Sequence, residues 1–397
     1  YVSPLKSLAN DIHRNLTVPL DGIHDNLEAR GADVDPIRHA IRHGDTDERE
    51  RNRMLEETPH ILNTTPETLA ILLNAPRFRQ KLESVEYVIV DEIHAMAANK
   101  RGTHLAVSLE RLEDLAHGSP TRIGCSATIE PVEAMAAFLV GRQTPQGPVR
   151  ECEVVDARFV RDYDLELVCP VADLIGTRSS TITDRFYRTL DESIKSHDTT
   201  LVFTNTRSGA ERVLETLRDE FPGYTEANSG CHHGSLSKAT RQDVERRLKA
   251  GDLDVVTTST SLELGIDMPT VDLVVQVGSP KSVAGLLQRV GRAGHRVGDT
   301  VTGRVFALDR DDLVECAVMV ARAERGFIDG VTIPQNAHDV AAQHVYGMAI
   351  NSVRAEEAVY ATLRRTFPFR EYSRDDWERL LRYLTADYPG LEARNVY

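Results

Sequence analysis

The sequence predicts an α/β protein: two parallel-sheet domains in tandem, at 1–150 and 151–325, followed by a small helical module at 326–397. Three observations carry that expectation. Short β-branched apolar runs alternate with stretches of helical periodicity, which is how parallel βα units read. The alternation occurs twice, and the break Gly141-Arg142-Gln143-Thr144-Pro145-Gln146-Gly147-Pro148 separates the halves. After Gly326 the strand pattern stops and helical stretches take over.

In the first half, strands are expected at 61–64, 87–90 and 121–126, and helices at 5–16, 66–73, 103–115 and 131–139. Tyr87-Val88-Ile89-Val90 is the clearest strand, because all four residues are aromatic or β-branched. Thr65-Pro66-Glu67 offers an N-cap residue followed by proline at the first helical position. The second half repeats the plan without repeating the sequence, with strands expected at 200–204, 255–258, 273–277 and 303–307. Its helices are expected at 183–195, 208–220, 237–250 and 283–292. Helices expected at 336–349, 355–364 and 374–385 suit a helix-turn-helix or winged-helix module, or a plain helical bundle. Trp377, the only tryptophan, either packs that module's core or stacks on a nucleobase; burial statistics favour the core.

Composition narrows the class. The chain of 397 residues is 41% hydrophobic and 27% charged, as expected of a soluble globular protein. No apolar run reaches membrane-spanning length, and no membrane partner is expected. The first residue is Tyr1, not Met, so a natural start upstream is expected. Cys125, Cys152, Cys169, Cys231 and Cys316 are scattered and form no CxxC pair, which fits a reducing cytoplasm. A net charge of −14 argues against a simple basic coat for nucleic acid. Lysine is scarce (Lys6, Lys81, Lys100, Lys195, Lys238, Lys249 and Lys281) among 47 basic residues, which fits a salt-adapted host or an arginine-favouring GC-rich genome. In strong salt, counterion release drives nucleic-acid binding only weakly, so stacking, hydrogen bonds and shape would have to contribute more.

The expected strand at 87–90 ends in Asp91-Glu92-Ile93-His94. Two acids at the carboxyl edge of a parallel strand are placed to hold a magnesium ion and to aim a water at a phosphate. Asp91 would hold the metal, through water, and Glu92 would take the proton of the attacking water.

This box belongs to an ordered series: Val2-Ser3-Pro4-Leu5-Lys6-Ser7-Leu8, Thr64-Thr65-Pro66-Glu67, Asp91 to His94, Ser126-Ala127-Thr128, Val202-Phe203-Thr204-Asn205-Thr206-Arg207, His232-His233-Gly234-Ser235, Ser261-Leu262-Glu263-Leu264-Gly265-Ile266-Asp267, and Gln288-Arg289-Val290-Gly291-Arg292-Ala293-Gly294-His295. The series resembles a superfamily 2 helicase. Asn99-Lys100-Arg101-Gly102-Thr103-His104-Leu105 and Asp339-Val340-Ala341-Ala342-Gln343-His344 narrow the resemblance to the large helicase-related (Lhr) family. It implies two RecA-like domains and a winged helix, with ATP and Mg²⁺ as cofactors. The implied partners are single-stranded DNA and a DNA duplex or RNA–DNA hybrid. It further implies 3′-to-5′ movement and a role in DNA repair; an RNA helicase of a neighbouring branch and a non-catalytic nucleic-acid-binding module are the rivals.

The resemblance also assigns residues. Arg292 is the arginine finger, with Gln288 beside it. The second finger's position is occupied by His295, followed by Arg296, and Arg289 is a candidate helper. Glu263, Gly265, Asp267, Arg289 and Arg292 would contact nucleotide. Ser126 and Thr128 would hydrogen-bond His94 and couple phosphate state to the strand side. Strand contacts would come from Ser3, Pro4, Lys6, Thr65, Pro66 and Glu67 in the first domain. Thr204, Asn205, Arg207, His233, Gly234, Ser235, Thr258 and Ser259 would supply them in the second.

One part is missing. No Gly-Lys-Ser/Thr phosphate loop occurs in the 397 residues, and it is expected upstream of Tyr1. The 397-residue chain alone is therefore expected to show no nucleic-acid-stimulated ATPase, whereas a version extended at its N-terminus should. A phosphate-release assay on both would decide.

Overall fold

The computed structural model describes residues 1–32, 34–127, 129–155, 162–263, 271–293 and 300–385. The chain divides into two compact units, 1–156 with 330–397, and 157–329.

In chain order the first unit opens with α1 (Lys6–Ala29), β1 (His39–Arg42), α2 (Glu48–Glu56), β2 (Ile61–Thr64), α3 (Pro66–Asn74) and α4 (Pro76–Arg79). It continues with β3 (Tyr87–Val90), α5 (Ile93–Ala97), α6 (Lys100–Glu113), β4 (Thr121–Gly124) and α7 (Val132–Val140). β1 pairs with β2 and β3 with β4, all parallel. Val2 bridges both Thr64 and Val90 in parallel, so residues 1–3 lie between β2 and β3 in the middle of the sheet. The Val2 N–H donates to Ile89 O (2.7 Å), the Ser3 N–H to Thr64 O (2.9 Å) and the Asp91 N–H to Val2 O (2.9 Å). Parallel pairing puts the residues after each strand on one edge. Ser3, Thr65, Asp91 and Cys125 therefore emerge together.

The second unit holds β5 (Tyr163–Val168), α8 (Ser179–Lys195), β6 (Thr200–Phe203), α9 (Arg207–Glu220), β7 (Ser229–His232), α10 (Lys238–Ala250), β8 (Val255–Thr258), β9 (Leu273–Val277), α11 (Val283–Val290), β10 (Val301–Phe306) and α12 (Arg310–Glu324). Its sheet is six-stranded and all parallel, in the order β5-β10-β9-β6-β8-β7. Leu201 and Phe203 face one apolar layer and Val202 the other, so β6 is buried on both faces. That burial explains its unbroken apolar sequence.

The tail supplies α13 (His338–Asn351), α14 (Glu356–Arg364) and α15 (Arg374–Leu384). Val107 of α6 packs into the tail's core with Leu363, Phe369, Tyr372 and Trp377. Trp377 is wholly buried and its Nε1–H donates to Glu356 Oε1 (2.8 Å), so it is a core residue.

Several boundaries differ from expectation. α1 continues beyond Leu16 through Pro19. Asn15, whose carbonyl Pro19 cannot serve, is exposed and can turn that carbonyl to water. β4 stops at Gly124, and β1, β5, β7, α2, α4, α5 and α12 were not expected.

Candidate functional site

Glu92 sits in left-handed backbone (φ 47°, ψ 44°) between β3 and α5. A non-glycine residue there costs on the order of 1–3 kcal/mol and marks sites where geometry matters more than comfort. Its N–H donates to Asp91 Oδ1 (3.0 Å), which fixes the direction of that carboxylate. Both acids are half-buried.

His94 is buried one turn along. The Ala127 N–H donates to its Nδ1 (3.1 Å), and an N–H cannot accept, so the ring's hydrogen is on Nε2. Nε2 lies 3.5 Å from Glu92 Oε2, and Ser126 Oγ lies 3.2 Å from Nδ1. His94 thus touches both the acidic box and the segment after β4. Burial lowers its pKa to about 4, so the ring is neutral at pH 7. His344 of α13 is likewise held well below its ordinary value, by burial first and then by His104 and Arg111. Between about pH 6.5 and 4 the unfolded chain binds protons that these folded histidines refuse, so stability falls with pH in that window and is fully present above it. Chemical denaturation at pH 7 and pH 5 should show a loss of about 2 kcal/mol from His94 alone.

The first-unit strand-contact candidates form a connected group. Ser3 is fully buried and its Oγ has no hydrogen-bond partner. Thr65 caps α3 through its backbone only, with Pro66 in the first turn, and its Oγ1 donates instead to Thr68 Oγ1 (3.1 Å). Lys6 Nζ pairs with Asp45 Oδ1 (2.7 Å). Arg101, which sequence reasoning did not assign, ties the group together: Nη2 donates to Pro4 O (2.7 Å) and Nε to Glu67 Oε1 (2.6 Å). Burial alone would raise the Glu67 carboxyl, but the Arg101 hydrogen bond and charge hold it below its ordinary value. Gly102 makes this possible. A β-carbon there would lie 2.7 Å from the Met96 carbonyl carbon, so only glycine lets α6 start against α5.

In the second unit, Asn205, Arg207, His233, Ser235 and Ser259 line one open cleft of about 570 Å³ with Thr206, Ser208, Glu211 and Thr260. It lies beyond the carboxyl ends of β6, β7 and β8 and at the first turn of α9, where unpaired N–H groups favour anions. Arg207 Nη1 donates to Ser235 Oγ (2.7 Å). His233 has both nitrogens engaged: Nδ1 accepts from the Ser235 N–H (3.3 Å) and Nε2 donates to Glu211 Oε1 (2.8 Å). Glu211, one turn into α9 from Arg207, was also unassigned from sequence. Gly234 joins His233 to Ser235 in the wall. Thr204 and Thr258 lie behind the cleft, buried, donating to the Thr206 (2.8 Å) and His232 (2.8 Å) carbonyls.

Glu263 and Arg289 are brought to each other. Arg289 is buried, with Nη2 3.1 Å from Glu263 Oε2 and Nη1 donating to Gln276 Oε1 (2.7 Å). Gln288 and Arg292 are half-buried, on and just after α11. Thr128, Gly265, Asp267, His295 and Arg296 lie outside the described residues.

No group of three or more His, Cys, Asp or Glu able to hold a metal occurs among the described residues. One oriented carboxylate, Asp91, suits magnesium that keeps waters and binds through substrate phosphates. No described helix is long and apolar enough to cross a membrane.

Comparison with known proteins matches residues 1–136 to the DEAD/DEAH box helicase model, 183–297 to the helicase conserved C-terminal domain, and 321–394 to the winged helix domain of large helicase-related protein. ATP-dependent helicase Lhr-Core of Methanothermobacter thermautotrophicus is 50% identical over 398 residues, covering 100% of this chain and 46% of that protein. Lhr helicase/uracil glycosylase of Escherichia coli is 39% identical over 433 residues, covering 98% of this chain and 28% of that protein. The structure of Mycobacterium smegmatis helicase Lhr bound to ssDNA and AMP-PNP matches with a TM-score of 0.86 at 42% identity, over 96% of this chain and 49% of that one. The chain thus spans about half the length of the archaeal Lhr-Core relative. With two RecA-like parallel-sheet domains and a winged-helix tail, it belongs to the large helicase-related (Lhr) family of superfamily 2 helicases.

Proposed function

We propose that this chain is part of an ATP-driven motor that moves 3′ to 5′ along single-stranded DNA and unwinds DNA duplexes or RNA–DNA hybrids, in the service of DNA repair. The observation that carries the reading is the shared carboxyl edge of the first sheet, where Ser3, Thr65 and Asp91-Glu92 emerge together. A shared edge supports the reading that nucleotide chemistry and strand contact ride on one rigid element. Asp91 would hold magnesium through water, and Glu92 accepts the proton of the attacking water. Arg292, with Gln288 beside it, answers the charge that grows on the transferred phosphoryl group. A magnesium ion held there with the nucleotide would supply neutralisation of phosphate charge. Arg289 and Glu263 act on this chemistry by holding α11 in place, and Gly265 and Asp267 contact the nucleotide. Ser3, Pro4, Lys6, Thr65, Pro66 and Glu67 hold the strand at the first unit. The second-unit cleft, with Thr204 and Thr258 behind it, holds phosphates through Asn205, Arg207, Gly234, Ser235 and Ser259, while His233 sets the shape of its wall.

The test is unwinding by the full-length protein on tailed duplexes that differ only in polarity and in DNA or RNA loading strand. Faster unwinding from an RNA strand, or from a 5′ tail, would overturn the corresponding half of the proposal. His94 couples the two faces through Ser126. Ser126→Ala should retain most ATP turnover and lose about 10-fold in unwinding rate, a ratio read by measuring both activities on one preparation.

A further inference from the structure

Three arginines of the first unit converge on a small cavity that none of the chemistry above uses. Arg79, Arg111 and Arg354 line it with Leu73 and Met348, and its volume is about 10 Å³. Arg79 closes α4 and Arg111 lies on α6; Met348 is on α13, and Arg354 sits in the link to α14. One wall therefore belongs to the α/β part of the unit and the other to the tail.

What sets this cluster apart is its partners. Arg111 is buried, and among the described residues its guanidinium donates to neutral groups, Asn74 Oδ1 (2.6 Å) and His344 Nδ1 (3.2 Å). Neither Arg79 nor Arg354 makes a side-chain hydrogen bond or ion pair among the described residues, and Arg354 Nε is buried without a partner. In a chain with 61 acidic residues and a net charge of −14, three guanidiniums share one cavity with no carboxylate among the described residues that line it. By contrast, Arg122, Arg150 and Arg365 of the same unit all meet one carboxylate, Glu110. Burial first, and then the Arg354 and Arg79 charges, lower Arg111 to about 10, which leaves it charged at pH 7. Like charges brought together out of water repel, and a buried guanidinium nitrogen without an acceptor is costly.

We infer that this cavity is an anion site that takes a single chloride ion and thereby fastens the tail to the α/β part of the first unit. The size selects the ligand. The space is of the order needed for one small particle, which suits a monatomic halide better than a polyatomic oxyanion such as sulfate. Guanidinium N–H groups from three elements supply the donors.

The test uses the 397-residue chain, whose single tryptophan, Trp377, is buried in the tail's core and reports on tail release. Thermal unfolding is followed by Trp377 fluorescence while sodium chloride replaces sodium glutamate at constant ionic strength. The expected result is a saturable rise of roughly 2–4 °C in the midpoint, which Arg354→Gln and Arg79→Gln abolish. Arg354→Lys, which keeps the charge, should retain part of it. Bromide soaked into crystals should give an anomalous scattering peak in the cavity. An equal chloride response in wild type and Arg354→Gln would overturn the inference, as would an equal wild-type-specific response to sulfate or the absence of a bromide peak. Arg354 is only half-buried, so its replacement by glutamine leaves the core intact.

Discussion

Glu92→Gln in the full-length protein should leave ATP binding intact and cut ATP turnover by on the order of 10²- to 10⁴-fold, the usual contribution of a positioned general base. The substitution preserves size and removes only the charge and basicity. Glutamine meets the same left-handed backbone requirement as glutamate, so the turn between β3 and α5 should survive. His94 cannot stand in for the lost base, because its Nδ1 already accepts the Ala127 N–H and its Nε2 carries the hydrogen. Steady-state phosphate release with and without DNA gives the turnover, and a fluorescent ATP analogue gives the binding. Wild-type turnover in Glu92→Gln would end the assignment of Glu92 as the base.

The second large effect is on stability. Glu110 of α6 is 1% exposed, and three guanidiniums close on it: Arg122 Nη1 at 2.8 Å, Arg150 Nη1 at 2.7 Å and Arg365 Nε at 2.8 Å. Arg122 also meets Glu113 (2.9 Å) and Arg365 meets Asp114 (2.6 Å), so the network is three bases against three acids. Burial would raise the Glu110 carboxyl, but the Arg150 hydrogen bond and the charges of Arg122, Arg150 and Arg365 hold it below its ordinary value. Glu110→Gln removes the shared anion and leaves the bases in excess. Breaking one partner of a buried pair typically costs about 3–5 kcal/mol, which for a unit of this size is roughly 6–20 °C in melting temperature. Arg365 follows α14 and Arg150 follows α7, so the tail and the segment after α7 should loosen together. Calorimetry of the variant, with Trp377 emission as the local probe, measures both. A shift below about 2 °C would mean that the network contributes little net stability.

The architecture was legible where one physical rule dominated. β2, β3, β8 and β9 have the limits the sequence suggests, because short segments rich in β-branched residues and bounded by polar or turn-forming ones favour strand. β1 and β7 were not legible. His39-Ala40-Ile41-Arg42 and Ser229-Gly230-Cys231-His232 carry no apolar pattern, and pairing with β2 and β8 makes them strands. α12 begins Arg310-Asp311-Asp312, which reads as a polar turn until Asp309 is seen to cap it by accepting the Asp312 N–H. At the candidate site, Asp91, Glu92 and His94 were readable because acids at a strand end have few structural uses. Arg101 and Glu211 were not, because a charged residue in the first turns of a helix looks like a solvated face until its partner is known. The Arg289–Glu263 pair joins elements distant in sequence, and neither residue's composition announces the other.

Residues 1–3 lie at the centre of the first sheet although they come first in the sequence. Their partners in the neighbouring strands, Thr64 and Val90, lie far along the chain, so residues 1–3 are secured only after both strands have been made. The loop-closure entropy of that wait is paid once, late, and in the middle of the sheet. Asp91, whose N–H is held by Val2 O, is fixed in direction only when residues 1–3 are in place.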